Sequence, residues 1–94
     1  MSTARKVMQE LMTSHWLYEY EGNIIEIKRF KSTELYVNNV LQDTENGRFN
    51  TAYLSGKLPD GKIVEAYVSG FLVIKSTLFV ENKEISAISN KLKK

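Results

Sequence analysis

The sequence predicts an α+β domain: a short N-terminal helix packed on a strongly twisted antiparallel β-meander of five to seven strands, with a partial barrel as its closed form. Three observations support this fold class. Apolar residues recur at helical spacing before residue 13, and they alternate with polar residues after residue 15. Short turn signals separate the alternating segments, and such short connections make neighbouring strands antiparallel because they leave no room for a crossover helix.

Length and composition indicate one domain over residues 1–94. A hydrophobic fraction of 43% and a charged fraction of 26% are ordinary for a globular protein. The predicted subdivision is a helix over 2–13, a sheet over 15–82, and a short element with a lysine-rich tail over 84–94. That last element could be a strand, a helical turn or a tail.

The N-terminal segment has one apolar side, and Ser2 or Thr3 can cap a helix that begins there. A helix of about three turns is marginal on its own, so its apolar stripe is expected to pack on the sheet. If the stripe instead meets a second copy, the protein is a helix-mediated homodimer. The stripe consists of Ala4, Val7, Met8, Leu11 and Met12.

Turn signals divide the remaining chain into strands. Gly22-Asn23 and Asn46-Gly47 are predicted two-residue hairpin turns, because glycine and asparagine tolerate the positive φ that these turns need. Pro59-Asp60-Gly61 is predicted as a third turn. Ser69-Gly70 is either a fourth turn or a bulge within one long strand. Asp43 and Asp60 lie near these turns, where aspartate side chains commonly cap backbone groups.

The turn positions also predict which residues share a face of the sheet. The proline turn places Tyr53 opposite Tyr67, and an Asn46-Gly47 turn places Val40 opposite Tyr53. Trp16 is predicted to be buried on the same face of its strand as Tyr18. The predicted core face consists of Leu35, Val37, Leu41, Ala52, Leu54, Leu58, Val64, Ala66 and Val68.

The opposite face alternates tyrosines with hydroxyl-bearing residues, and its favoured interpretation is a recognition surface for another protein. The alternative is a barrel interior or a second layer, in which these tyrosines simply pack. This predicted tyrosine surface consists of Tyr36, Tyr53, Tyr67, Thr51, Ser55 and Ser69.

Catalysis is the poorest fit to these residues. The chain has no cysteine and a single histidine, His15, so neither a thiolate nucleophile nor a transition-metal site is expected. Glu19 and Glu26 would face each other across a Gly22-Asn23 turn, but they are more simply explained as solvated side chains. No glycine-rich phosphate motif is present. We therefore expect a non-enzyme without a cofactor or a metal.

One resemblance supports a different function. A tryptophan that opens the first strand after a short helix, followed by a meander of hairpins, is similar in layout to calycin-type ligand-binding barrels. The segment reads Ser14-His15-Trp16 and lacks the glycine that usually stands two positions before the tryptophan. The resemblance implies a small β-barrel that binds an apolar ligand, but it assigns no ligand site.

Charge allows a third function, nucleic-acid binding through the sheet tyrosines and the C-terminal lysines. The net charge is +2, and lysine outnumbers glutamate after residue 82. The tyrosine surface itself, however, carries Glu65 and is expected to carry no lysine, which favours a protein partner. No 18-residue apolar run and no leader-like segment occur, so a cytoplasmic location away from membranes is expected. The terminal charges are Lys83, Glu84, Lys91, Lys93 and Lys94.

Overall fold

A computed structural model describes residues 14–29, 31–46, 51–70 and 74–91, and in these residues the alternating segments form antiparallel β-strands. Most of the strands alternate buried side chains with side chains that are at least partly exposed, as expected for the surface layers of a two-sheet domain. The strands are β1 Ser14–Tyr20, β2 Asn23–Arg29, β3 Thr33–Val37, β4 Val40–Glu45, β5 Ala52–Lys57, β6 Ile63–Ser69, β7 Lys75–Val80, β8 Lys83–Ile85 and β9 Ser89–Lys91.

The strands form two antiparallel sheets that enclose one core. The first sheet has five strands in the order β4-β3-β2-β1-β9, and the second has four in the order β5-β6-β7-β8. Within each sheet the neighbours are mostly consecutive hairpins, while β9 returns to pair with β1. The chain changes sheets twice, between β4 and β5 and between β8 and β9. The strands therefore follow one another around the domain in chain order.

The predicted α+β class is wrong, because the described part of the chain is all-β and contains no helix. The predicted helix over 2–13 and its apolar stripe lie outside the described residues. The physical reason for the error is that the predicted core face is covered by strands. Leu35 and Val37 belong to the first sheet, Leu54 and Ala66 belong to the second, and all four join one buried cluster between the sheets. A partial barrel is likewise replaced by two separate sheets.

Most of the predicted core is confirmed. Trp16 is 1% exposed, and every other predicted core residue except Leu41 is buried. Leu41 is 50% exposed because β3 and β4 form a hairpin of their own, whose two-residue loop is Asn38-Asn39. This places Leu41 opposite Tyr36, on the outer face. The buried cluster is Trp16, Tyr18, Ile25, Ile27, Leu35, Val37, Ala52, Leu54, Leu58, Val64, Ala66, Val68, Leu78 and Val80.

The proline turn has the predicted register. Leu58 N donates to Lys62 O at 2.9 Å, and Tyr53 lies opposite Tyr67. Asp60 caps this turn, because its Oδ1 accepts the Lys62 N–H at 3.0 Å. Ser69-Gly70 marks a turn rather than a bulge, since β6 and β7 are separate strands that pair antiparallel.

The first hairpin is shifted by one residue from its prediction. Its two-residue loop is Glu21-Gly22, with φ of 50° and 82°, and Tyr20 pairs with Asn23. Asn23 stays in the strand, and its side-chain amide donates to Tyr20 O at 3.1 Å. Glu26 consequently lies opposite Leu17, and the predicted pairing of Glu26 with Glu19 is wrong.

The predicted pairing across Asn46-Gly47 is also wrong, because β4 and β5 belong to different sheets. Side chains bridge the corner between them instead. Asp43 Oδ2 accepts the Ser55 N–H at 3.0 Å, and Gln42 Oε1 accepts the Lys57 N–H at 3.2 Å. Gly56 permits this approach, since a Cβ there would lie 2.6 Å from Gln42 Cβ. Two free N–H groups of β5 are thereby satisfied without a neighbouring strand.

Of the alternatives for the C-terminal segment, the structure shows the strand, since β8 and β9 lie within residues 83–91. The terminal residues 92–94 lie outside the described part. Among the residues that the structure describes, there is no helix with the length and apolar character needed to cross a membrane.

Candidate functional site

The outer face of the second sheet carries aromatic and apolar side chains that are exposed or half-buried, with one glutamate among them. These residues alternate along the strands with the core residues Leu54, Val64 and Leu78, whose side chains point inward, so their own side chains point outward. We name this surface the aromatic face, and it consists of Tyr53, Ile63, Glu65, Tyr67 and Phe79.

Three rings of the aromatic face are in contact across three adjacent strands. The ring centroids of Tyr53 and Tyr67 are 4.9 Å apart with an interplanar angle of 45°. The rings of Tyr67 and Phe79 are 6.0 Å apart and edge to face, at 88°. Both distances lie in the range where aromatic pairs attract each other. The rings therefore form a continuous, uneven ridge rather than a flat platform.

The two tyrosines remain open to solvent although they touch each other. Tyr53 is 46% exposed and Tyr67 is 43% exposed, and Ile63, farther along β6 on the same side, is also exposed. The core beneath them is complete without these side chains, because the inward residues of β5 and β6 are fully or almost fully buried. Exposed rings that the core does not need are available for contact with a partner.

Glu65 is the charged residue in the middle of the aromatic face. It lies opposite Ser55 on one side and opposite Phe79 on the other. Its Oε2 accepts a hydrogen bond from Tyr53 Oη at 2.8 Å. This hydrogen bond raises the pKa of Tyr53, because the ionised phenolate could not donate it. The bond fixes the orientation of the Tyr53 ring and leaves other lone pairs of Glu65 available.

Five of the six predicted surface residues lie together on or beside this face. Thr51, Ser55 and Ser69 are exposed and flank the two tyrosines. Lysines also flank them, since Lys57 and Lys75 alternate in phase with Tyr53 and Phe79 on their strands. The expectation that this face carries no lysine is therefore wrong, although its two lysines are balanced by Glu65 and Glu84.

The sixth predicted residue, Tyr36, is on the outer face of the first sheet. Its hydroxyl donates to Glu34 Oε1 at 2.8 Å, and this hydrogen bond raises its pKa. Lys28 Nζ lies 4.8 Å from the centre of its ring, which is a cation–π distance. The structure does not bring Tyr36 to Tyr53 and Tyr67, because the register through Asn46-Gly47 that would have joined them does not form.

Phe79 and Ile63 were not predicted as part of the site. Phe79 lies between Leu78 and Val80 on β7. Because successive side chains of a strand point to opposite faces, the sequence indicates that Phe79 faces away from these two residues. Assigning it to the tyrosine side, however, requires the register between β6 and β7. That register depends on the connection after Ser69, which the sequence left open between a turn and a bulge.

The outer face of the first sheet holds the single histidine. His15 Nε2 lies 3.0 Å from Glu26 Oε2, and both side chains are partly buried. A histidine–carboxylate pair is by itself only part of a catalytic arrangement, which also needs a nucleophile or a bound reacting group. Within residues 14–29, 31–46, 51–70 and 74–91, no three histidine, aspartate or glutamate side chains converge in a group that could hold a metal ion.

When the chain is compared with known proteins, no protein-family model, no curated protein and no solved structure gives a significant match to it.

Proposed function

We propose that this protein is a non-catalytic binding module of the adaptor or inhibitor type, which contacts another protein through the aromatic face. The observation that supports this most directly is the contact between Tyr53 and Tyr67, which stay 46% and 43% exposed above a complete core. Tyrosine is enriched where protein interfaces bind most tightly, since it combines a large apolar ring with a hydroxyl that can hydrogen-bond.

Ring geometry and charge favour a protein over a nucleic acid. Single-stranded nucleic acids bind where bases stack on rings beside a basic groove. Here the rings are tilted or perpendicular to one another. The negative charges of Glu65 and Glu84 balance the positive charges of Lys57 and Lys75 on the same face. Lys91, in addition, lies on β9 in the first sheet, away from the aromatic face.

The packing of the interior favours a surface site over an apolar ligand cavity. The large side chains Trp16 and Tyr18 are each 1% exposed and fill the space between the sheets. They belong to a single core cluster with residues of both sheets, such as Ile27 and Leu54. Binding through an outer face leaves this core undisturbed.

The test is to capture the partner from the native host by cross-linking, identify it by mass spectrometry, and measure its affinity for purified variants. We expect Tyr53→Ala and Tyr67→Ala each to weaken binding about tenfold or more, as for a central interface tyrosine. Their melting temperatures should change little, because both rings are exposed. Tyr36→Ala is the matched control, since it removes a tyrosine from the outer face of the other sheet.

The opposite pattern would reject the proposal. If the Tyr53 and Tyr67 variants lose stability but keep their affinity, the rings serve the fold and the binding surface lies elsewhere. If deletion of residues 92–94 abolishes binding to an oligonucleotide while the tyrosine variants bind normally, electrostatic attachment to nucleic acid replaces protein binding.

A further inference from the structure

We infer that Gln42, Asp43 and Gly56 form an edge clasp, which keeps the end strand β5 from pairing with the same strand of a second copy of this chain. The inference goes beyond the proposed function, because it concerns the edge of the second sheet rather than the aromatic face. It is carried by two side-chain hydrogen bonds, a β-bulge and one close approach between strands.

β5 is the end strand of the second sheet, so one of its sides has no neighbouring strand of that sheet in the described part of the chain. Its other side pairs with β6 over all six residues. Leu58 N donates to Lys62 O at 2.9 Å, on the β6 side, and backbone groups alternate in direction along a strand. Ser55 and Lys57 therefore point their N–H groups to the open side. Such outward groups are a template for another strand.

The edge clasp occupies these two N–H groups with side-chain oxygens of β4. Asp43 Oδ2 accepts the Ser55 N–H at 3.0 Å, and Gln42 Oε1 accepts the Lys57 N–H at 3.2 Å. Each bond takes the place of a ladder hydrogen bond, but its acceptor is a side chain and not a backbone carbonyl. A strand that approached β5 from this side would find both donors occupied and β4 in its path.

A β-bulge turns both acceptors toward β5. Leu41 lies opposite Tyr36. Asp43 lies opposite Leu35, so Gln42 is an extra residue between the two pairs. Without the bulge, Asp43 would share the outer face with Leu41, because side chains alternate along a strand. The bulge instead places Asp43 across from the buried Leu35, on the side that faces the second sheet, so two successive side chains reach the same strand.

Gly56 lets β4 approach β5 closely enough for these bonds. A Cβ at this position would lie 2.6 Å from Gln42 Cβ, well inside the separation of about 3.5–4.0 Å at which carbon atoms pack. Glycine weakens the interior of a strand and often marks a place where another backbone comes near. Its position between Ser55 and Lys57, the two residues held by the clasp, fits that purpose.

The clasp protects the longer edges among the described strands. The other two end strands, β8 and β9, have three residues each, and short edge strands are themselves a common protection against edge pairing. β4 and β5 have six residues each, which is an ordinary length for a paired strand. The clasp turns these two edges toward each other, so neither is offered to another chain.

The sequence of β5 indicates a second copy as the strand that the clasp excludes. Residues 52–56 read Ala-Tyr-Leu-Ser-Gly, and residues 66–70 read Ala-Tyr-Val-Ser-Gly. β5 already pairs antiparallel with this near-copy of itself, with Tyr53 opposite Tyr67. The β5 strand of a second molecule would offer the same pattern from the open side. Two identical edges related by a twofold axis form a closed dimer.

The test compares the masses of the full chain and its variants in solution by analytical ultracentrifugation at matched concentrations. We expect wild type to sediment as one chain, and Gln42→Ala/Asp43→Ala, which lacks both acceptors, to approach twice that mass. Gln42→Glu/Asp43→Asn is the matched control, since it keeps both acceptor oxygens and the net charge, and it should sediment as one chain. Emission from the buried Trp16 verifies in each variant that the core is intact.

Two further variants separate opening of the clasp from the loss of a charge. Gly56→Ala removes no polar group, but its new methyl group meets Gln42 Cβ, so β4 must move away and association should follow. Ser55→Pro, added to Gln42→Ala/Asp43→Ala, removes an outward N–H group. It should restore the mass of one chain, because proline on an edge strand prevents another strand from adding there.

Hydrogen exchange of the wild type gives a result that does not depend on the folding of any variant. The Ser55 and Lys57 amides should exchange about tenfold or more slowly than unstructured amides, and unprotected amides at both positions would overturn the clasp. The clasp is also overturned if Gln42→Ala/Asp43→Ala and Gly56→Ala are folded but remain single chains. An association that Ser55→Pro does not suppress, or a wild-type dimer that Ser55→Pro dissociates, would likewise reject it.

Discussion

At the scale of single residues, Tyr18 and Tyr53 show that the same residue type has two different roles in this domain. Tyr18 is 1% exposed, and its hydroxyl is hydrogen-bonded to Ser76 of the other sheet. Burial raises the pKa of Tyr18, because the charged phenolate would lose its hydration. The pKa of Tyr53 is raised instead by its hydrogen bond to Glu65 on the surface. The first tyrosine holds the sheets together, and the second remains accessible.

The buried tyrosine predicts how stability depends on pH. The pKa of Tyr18 is raised above its usual value of 10.0, so the folded protein keeps this proton to higher pH than the unfolded chain. Its contribution is therefore fully present below about pH 10 and is lost as the pH rises through the raised pKa. Tyr18→Phe should reduce the alkaline loss of stability, as measured by urea denaturation between pH 8 and 11.5. It should also cost about 1 kcal/mol at neutral pH, since Ser76 loses its partner.

Ser76→Ala provides the comparison for this prediction. The hydrogen bond from Ser76 partly opposes the effect of burial, so its removal should raise the pKa of Tyr18 further. Absorbance at 295 nm, which reports phenolate, should then show the titration step that Tyr18→Phe abolishes moving to a higher pH. An alkaline stability profile that is identical in wild type and Tyr18→Phe would contradict the assignment.

At the scale of elements, turn chemistry decides the strand pairing. Asn38 and Asn39 form the β3–β4 loop with φ of 49° and 70°, a left-handed conformation that asparagine tolerates. Asn38 also ties this loop to the first hairpin, because its Oδ1 accepts the Ile24 N–H at 2.9 Å. Its amide donates to Asn23 Oδ1 at 3.0 Å. The two asparagines thus share a conformation but not a set of contacts.

The same substitution at these two neighbours should have opposite effects. Asn39→Gly should stabilise the protein by about 0.5 kcal/mol, because asparagine followed by glycine suits a two-residue hairpin loop best. Asn38→Gly should destabilise it by about 1 kcal/mol, since it removes the bonds to Ile24 and Asn23. Urea denaturation of the two variants against wild type measures both changes. Equal effects of the two substitutions would show that the side-chain bonds of Asn38 do not contribute.

At the scale of the whole molecule, two sheets enclose a core that the sequence assigned to a helix and one sheet. Leu54 and Leu41 distinguish the two arrangements, because both were expected in the core but only Leu54 is buried. Leu54→Ala should lower the free energy of unfolding by about 2–5 kcal/mol. Leu41→Ala should change it by about 0.5 kcal/mol or less, as is usual for a surface site.

Chemical denaturation of the two leucine variants provides the measurement, with tryptophan fluorescence as the readout. Trp16 is buried and should report global unfolding by a red shift of its emission. If Leu41→Ala costs as much as Leu54→Ala, the outer placement of Leu41 is incorrect.

Local sequence signals predicted part of the candidate site but not its full extent. The proline turn and two-residue alternation were enough to place Tyr53 beside Tyr67 with Ser55 and Ser69 around them. Phe79 could not be added, because its position depends on the register across the connection after Ser69. Tyr36 could not be excluded, because that required knowledge of the sheet to which β3 belongs.

The sequence by itself determined that the chain alternates as strands, the proline-turn hairpin and a large part of the buried set, because these depend on side-chain alternation and on φ preferences of single residues. Only the tertiary structure decided which element covers the core and where the chain passes between sheets. An apolar face indicates that something must bury it, but the burial of apolar area is not directional, so a helix and a second sheet satisfy it equally. The passage from β4 to β5 depends on Gln42 and Asp43 reaching the N–H groups of β5, which are contacts between segments that no local pattern encodes.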